Sequence, residues 1–185
     1  MNTILEQVRD FADRAHGTQM RKYTPDRYIV HTIRVMELCS RHTTDNALLS
    51  AALLHDVPED TPVTAADIET FLHTLMSPED TARTLKLVTE LTDVYVKADY
   101  PQWNRKIRRQ HERERISRTS PDAQTIKYAD LIDNCKEIVK HDRQFAGKFL
   151  VECEEILKVI TKGNTILYEE AVQTIKSGLK LLKNR

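Results

Sequence analysis

Residues Ala47-Leu48-Leu49-Ser50-Ala51-Ala52-Leu53-Leu54 would be apolar on nearly every face if helical. A helix of that kind belongs at the centre of a bundle, not on its surface. It runs straight into His55-Asp56-Val57-Pro58-Glu59-Asp60, which places four ionisable side chains next to a region of low dielectric. Buried charge requires a partner or a metal. Pro58 has no N–H to give the carbonyl of Leu54, so the helix is expected to loosen there and leave Glu59 and Asp60 in a loop at the mouth of a site.

The rest of the chain is also helical in pattern. Glycine and proline number only 4 and 6 in 185 residues, apolar residues recur at three and four positions, and strand-like alternation is nearly absent. The spacing predicts helices over 3–16, 27–42, 44–57, 64–74, 79–92, 102–118, 121–140, 143–161 and 164–182. Thr64 with Asp67, Ser77-Pro78-Glu79-Asp80 and Ser120-Pro121-Asp122 read as helix starts. In each a hydroxyl can cap free amides while acids meet the positive end of the helix dipole. These are boundaries between helices, so the expectation is an all-α bundle forming one domain over residues 1–185.

Charge narrows the partners. Lysine and arginine balance aspartate and glutamate at 28 each, so no global field recommends nucleic acid or an anionic membrane. No run approaches the ~20 apolar residues of a membrane span, and the first residues lack the basic and apolar regions of a secretory leader. Cys39, Cys135 and Cys153 are odd in number and widely spaced, which suits buried reduced thiols. The expectation is a soluble cytoplasmic protein that binds neither nucleic acid nor membrane.

Adjacent His55 and Asp56 diverge by about 100° on an ideal helix, close enough to grip one ion at a helix end. His31 lies among apolar residues of another predicted helix, and Asp130 interrupts a further apolar stretch, Thr125–Asn134. Singly, His31 reads as a core histidine bonded to a carbonyl and Asp130 as an acid paired with Lys127 or Lys136. Jointly the four make a mixed nitrogen and oxygen site suited to manganese, iron or zinc, with positions left open to water.

His31, His55-Asp56 and Asp130 match the H…HD…D signature of HD-domain phosphohydrolases. The surrounding residues resemble one branch, the hydrolase domain of RelA/SpoT homologues and in particular the small alarmone hydrolases. Ala15-His16-Gly17-Thr18-Gln19-Met20-Arg21-Lys22 is similar to its A-H-x-x-Q-x-R-K element. Ala52-Leu53-Leu54-His55-Asp56-Val57-Pro58-Glu59-Asp60-Thr61 is similar to A-L-L-H-D-V-x-E-D-T, and Ile126-Lys127-Tyr128-Ala129-Asp130 with Asn134 to I-K-x-A-D-x-x-x-N. The resemblance covers about residues 8–150, and the predicted helices over 143–182 are expected to pack on that part. Two departures stand out: Thr32 where the family has proline, and Thr24-Pro25-Asp26-Arg27-Tyr28 in place of a compact G-x-P-Y.

The resemblance implies an HD-type helical bundle in which His31, His55, Asp56 and Asp130 hold manganese, with Glu59 and Asp60 handling the attacking water. It further implies removal of the 3′-pyrophosphate from (p)ppGpp to leave GDP or GTP, the degrading arm of a stringent response. The adenosine analogues, (p)ppApp, stay open. Arg21, Lys22 and Asn134 match residues near the nucleotide. Arg105 and Arg109 lie in the one concentrated basic run; a solvated helix face is its plain reading, and a contact to a substrate phosphate is the sharper one. Two other functions fit the same residues: a nucleotidase or phosphodiesterase of the HD type acting on another nucleotide, and a nucleotide-binding regulator without turnover.

Overall fold

The structure, a computed structural model, describes residues 3–183. Ten helices are present among them, with no strand; one isolated antiparallel bridge joins Met20 and Arg27. None of the described helices is long and apolar enough to cross a membrane. The all-α expectation holds. The chain divides into two compact units, Met1–Thr92 and Asp93–Arg185.

The first unit holds α1 (Thr3–His16), α2 (Ile29–Ser40), α3 (Asn46–Leu54), α4 (Val57–Asp60), α5 (Ala65–Leu72) and α6 (Pro78–Leu91). Every residue of α3 from Ala47 to Leu54 is buried, and α1, α2 and α6 pack around it. An all-apolar segment can satisfy itself in no other place. Asp45 caps α3 by accepting from Ala47 N at 3.0 Å. The predicted starts at Thr64 and Ser77 are observed: Thr64 forms a reciprocal capping box with Asp67, and Ser77 accepts from Asp80 N.

Pro58 acts differently from the expectation. α3 ends at Leu54, and a new short helix, α4, begins at Val57 with the proline in its first turn. There the missing N–H would have been unsatisfied anyway. Glu59 and Asp60 are therefore helical and not in a loop, with Asp60 N bonded to Asp56 O at 3.0 Å. His55 and Asp56 sit at the joint between the two helices.

The second unit holds α7 (Arg105–Ile116), α8 (Pro121–His141), α9 (Arg143–Leu157) and α10 (Thr165–Lys183). α8 is its axis. Packed by α9 and α10, it buries Ile126, Tyr128, Ala129, Leu131, Ile132, Cys135 and Ile138. Ser120 caps it as expected. Asn104 and Asp142 cap α7 and α9, and the segment between α9 and α10 lies against the first turns of α8.

Candidate metal centre

His31 stands in the first turn of α2 and is fully buried; His55 is 3 % exposed at the end of α3. Their solvent-inaccessible Nε2 atoms both face one carboxylate oxygen, Asp56 Oδ2, at 3.5 and 3.2 Å. The two ring centroids are 5.5 Å apart, and one donor atom from each of the three residues falls within 4.8 Å of the others. Such convergence of two imidazole nitrogens and a carboxylate is costly without a cation between them.

The tautomer of His55 suits a ligand. Its Nδ1 lies 2.8 Å from Ala52 O. A carbonyl can only accept, so Nδ1 carries the proton and Nε2 presents its lone pair to the cluster. Asp56 is oriented from its other side by Tyr28, whose hydroxyl donates to Oδ2 at 2.8 Å. Burial first, then the charges of Asp56 and Asp60, push the Tyr28 phenol far above its ordinary range. Tyr28 thus stays a donor. The donor set fits a divalent metal: neutral imidazoles, a charged oxygen and a bonded outer shell.

Arg21, Lys22, Glu59 and Asp60 belong to the same unit. The Arg21 guanidinium lies over the Tyr28 ring, 5.5 Å from its centroid, which brings the arginine to the edge of the cluster. Lys22 Nζ donates to Tyr23 Oη at 2.8 Å. Both stand on a hairpin between α1 and α2, closed by Arg21 N to Asp26 O at 2.9 Å and Tyr28 N to Gln19 O at 2.9 Å. Arg27 staples the hairpin to Asp13 and to Gly17 O. The longer Thr24–Tyr28 segment is therefore an ordered turn. Thr32, at the position of the family proline, is buried and returns its hydroxyl to Ile29 O at 3.1 Å. Glu59 and Asp60 are exposed, with Asp60 Oδ2 accepting from Gln19 Nε2 at 3.2 Å.

In the second unit Asp130 is 6 % exposed on α8. Lys127 Nζ meets its Oδ2 at 2.8 Å, so the paired-acid reading of the sequence is realised. Asn134 Nδ2 donates to Oδ1. A carboxylate has about four lone-pair sites, so both contacts leave room for a further ligand. Arg105 forms a two-pronged ion pair with Glu152, at 2.8 and 2.6 Å, and Arg109 approaches Asp93 at 3.2 Å. To hold a phosphate, either arginine would exchange a carboxylate partner for it.

Tyr28 and Gln19 are the residues that sequence reasoning passed over. Tyr28 sits three positions before His31, one helical turn away. Gln19 stands inside the quoted A-H-x-x-Q element without an assigned role.

The HD domain family model matches residues 9–146. The human guanosine-3′,5′-bis(diphosphate) 3′-pyrophosphohydrolase MESH1 is 35 % identical over 139 residues, 72 % of this chain and 69 % of that protein. A guanosine-3′,5′-bis(diphosphate) 3′-pyrophosphohydrolase of Aquifex aeolicus is 29 % identical over 154 residues, 82 % of this chain and 20 % of that longer protein. Among solved structures, a metazoan ortholog of SpoT described as hydrolysing ppGpp superposes with a TM-score of 0.81 at 24 % identity, covering 97 % of this chain and 98 % of that one. This chain belongs to the HD-domain family, alongside the MESH1 3′-pyrophosphohydrolases.

Proposed function

We propose that this protein is a metal-dependent hydrolase that removes the 3′-pyrophosphate of guanosine 3′,5′-bis(diphosphate) and its pentaphosphate analogue, leaving GDP or GTP and pyrophosphate. The observation that carries the reading is the buried His31–His55–Asp56 cluster in a chain whose relatives are named for that reaction. We assign the ion as manganese and take Asp130 as a further ligand because it fills the last position of the motif. The two units are read as parts of one HD domain, since the family match runs through both.

When bound, the ion supplies a Lewis acid that lowers the pKa of water from 15.7 towards ~7. The protein's own groups do the rest. Tyr28 fixes the carboxylate of Asp56, and Ala52 O fixes the ring of His55. Glu59 is the group we assign to carry a proton to or from the attacking water or the leaving 3′-oxygen, and Asp60 the group that orients that water. Arg21 and Lys22 neutralise phosphate charge at the rim, where positioning and electrostatics supply most of the acceleration. Asn134 is proposed beside the ribose, and Arg105 or Arg109 as a phosphate contact. The cytoplasm is the proposed compartment, in keeping with three buried free thiols.

The test is a substrate panel of ppGpp, pppGpp, ppApp, GTP, ATP and a 5′-deoxynucleotide with manganese, resolved by ion-exchange chromatography against an EDTA control. Pyrophosphate release from ppGpp or pppGpp, blocked by EDTA, is the expected result, and the ppApp arm reports base preference. Inorganic phosphate from the deoxynucleotide alone would make the protein a nucleotidase. Binding without product would make it a regulator.

A further inference from the structure

The hydrolase reading gives no task to His16, yet this histidine is only 6 % exposed and projects from the last turn of α1 towards the hairpin. We propose that His16 and Gln19 are positioning residues that hold the carboxylate of Asp60 in one orientation, an arm parallel to the one by which Tyr28 holds Asp56; this deepens the hydrolase reading and rests on it. Asp60 ionised can only accept, so the Gln19 amide nitrogen faces its Oδ2, at 3.2 Å. That turns Gln19 Oε1 to His16 Nδ1, 2.9 Å away. An amide oxygen also only accepts, so Nδ1 must carry the ring proton. The tautomer of a buried ring is thereby set by an exposed acid two hydrogen bonds away.

The arm is braced along its length. Gln19 has both main-chain groups fixed: its N–H donates to His16 O at 3.0 Å and its carbonyl accepts from Tyr28 N at 2.9 Å. The His16 ring lies against the Tyr28 ring at 4.6 Å between centroids. Tyr28 reaches Asp56, and Gln19 reaches Asp60, one helical turn further on. One buried imidazole therefore supports two arms that end on two acids. A staple serving only the hairpin would stop at Gln19. Here it ends on a solvent-exposed carboxylate that the Tyr28 hydroxyl also faces, so Gln19 and Tyr28 together restrict it. His16 Nε2 is buried without a hydrogen-bond partner among the described residues, a cost that makes the choice of histidine hard to explain by packing alone.

The experiment uses the manganese-loaded full chain with ppGpp, and 15N-resolved NMR of the histidine rings without substrate. His16 is expected in the Nδ1–H tautomer, and Gln19→Leu should remove that preference. The same variant should lower kcat roughly ten- to a hundredfold, the scale of a misplaced catalytic group, with KM little changed. An asparagine amide overlays Nδ1 and a glutamine amide overlays Nε2, so His16→Asn should recover most of kcat and His16→Gln should not. An Nε2–H tautomer in the unsubstituted protein, kcat of Gln19→Leu within about twofold of it, or equal rates for the two His16 variants would overturn the proposal. A protein inert towards ppGpp would overturn the hydrolase reading instead, and the tautomer, read without substrate, would still decide the arm.

Discussion

Gly163 sits where the chain between α9 and α10 presses onto α8, and replacing it with alanine is the sharpest structural perturbation available in the second unit. Three successive main-chain amides there donate to α8: Lys162 N to Gln124 Oε1 at 2.8 Å, Gly163 N to Tyr128 Oη at 3.3 Å and Asn164 N to Thr125 Oγ1 at 2.8 Å. A Cβ on Gly163 would lie 2.6 Å from Tyr128 Cε2, 2.8 Å from Thr125 N and 2.9 Å from Thr125 Oγ1. None of these can yield cheaply. Thr125 N is helix backbone, and the Tyr128 ring is wholly buried with its hydroxyl bonded to Ile160 O. The segment must lift, and two of its hydrogen bonds weaken with it. Overpacking costs about 1–3 kcal/mol and each bond about 0.5–1.5 kcal/mol, so Gly163→Ala should destabilise by roughly 2–6 kcal/mol. In a chain of this length that lowers Tm by about 8–16 °C for a central value of about 4 kcal/mol. Gly147→Ala is the control: it lies inside α9 with its nearest neighbour 4.0 Å away, and should gain about 0.5–1 kcal/mol from helix propensity. Thermal melts by circular dichroism read both. A Gly163→Ala melt within about 2 °C of the unsubstituted protein, or an equal fall for Gly147→Ala, would refute the close-packing argument.

Asp56→Asn should abolish turnover and bound metal together; full activity in metal-controlled buffer would remove Asp56 from the ligand set. Asp130→Asn should likewise lower metal content measured by mass spectrometry, and unchanged content would confine Asp130 to its ion pair with Lys127. Glu59→Gln should bind ppGpp by calorimetry yet hydrolyse it far more slowly, and an unaltered kcat would exclude Glu59 from proton transfer. Burial alone would raise the Glu152 carboxyl, but the Arg105 hydrogen bond and charge, then Arg109, outweigh it and hold it below the ordinary value of 4.5. A depressed folded value stabilises above the unfolded one and is lost as pH falls through the folded one. Denaturant melts of the unsubstituted protein should therefore weaken more between about pH 5 and pH 3 than those of Glu152→Gln. Equal slopes would show the pair to be energetically silent.

The helices and their starts were legible because amphipathic period and capping chemistry are local. Thr64, Ser77 and Ser120 each cap the helix that they announce. Residues 47–54 declared their central place by having no polar face. The His-Asp pair was legible for the same reason: charge at the end of such a segment needs an explanation. Pro58 was misread because its one local property, the missing N–H, both breaks a helix and begins one, and neighbouring residues do not decide which. Tyr28 and the His16–Gln19 arm were not legible as roles. Their contacts to Asp56 and Asp60 span 28 and 41 residues, and only the folded hairpin brings them together. Arg105 and Arg109 showed their charge in the sequence but not their partner, because Glu152 lies on α9, 47 residues from Arg105.

The central claim is that the His31–His55–Asp56 cluster holds a divalent ion on which cleavage of a nucleotide 3′-pyrophosphate depends. The most direct test strips the protein of metal, restores manganese stepwise, and follows bound metal and pyrophosphate release from ppGpp in the same samples, with His55→Ala alongside. The account predicts that release rises in proportion to bound manganese, stays absent in the stripped protein, and fails in His55→Ala, which should bind little metal. Pyrophosphate release from the stripped protein, or full metal binding and full activity in His55→Ala, would contradict it.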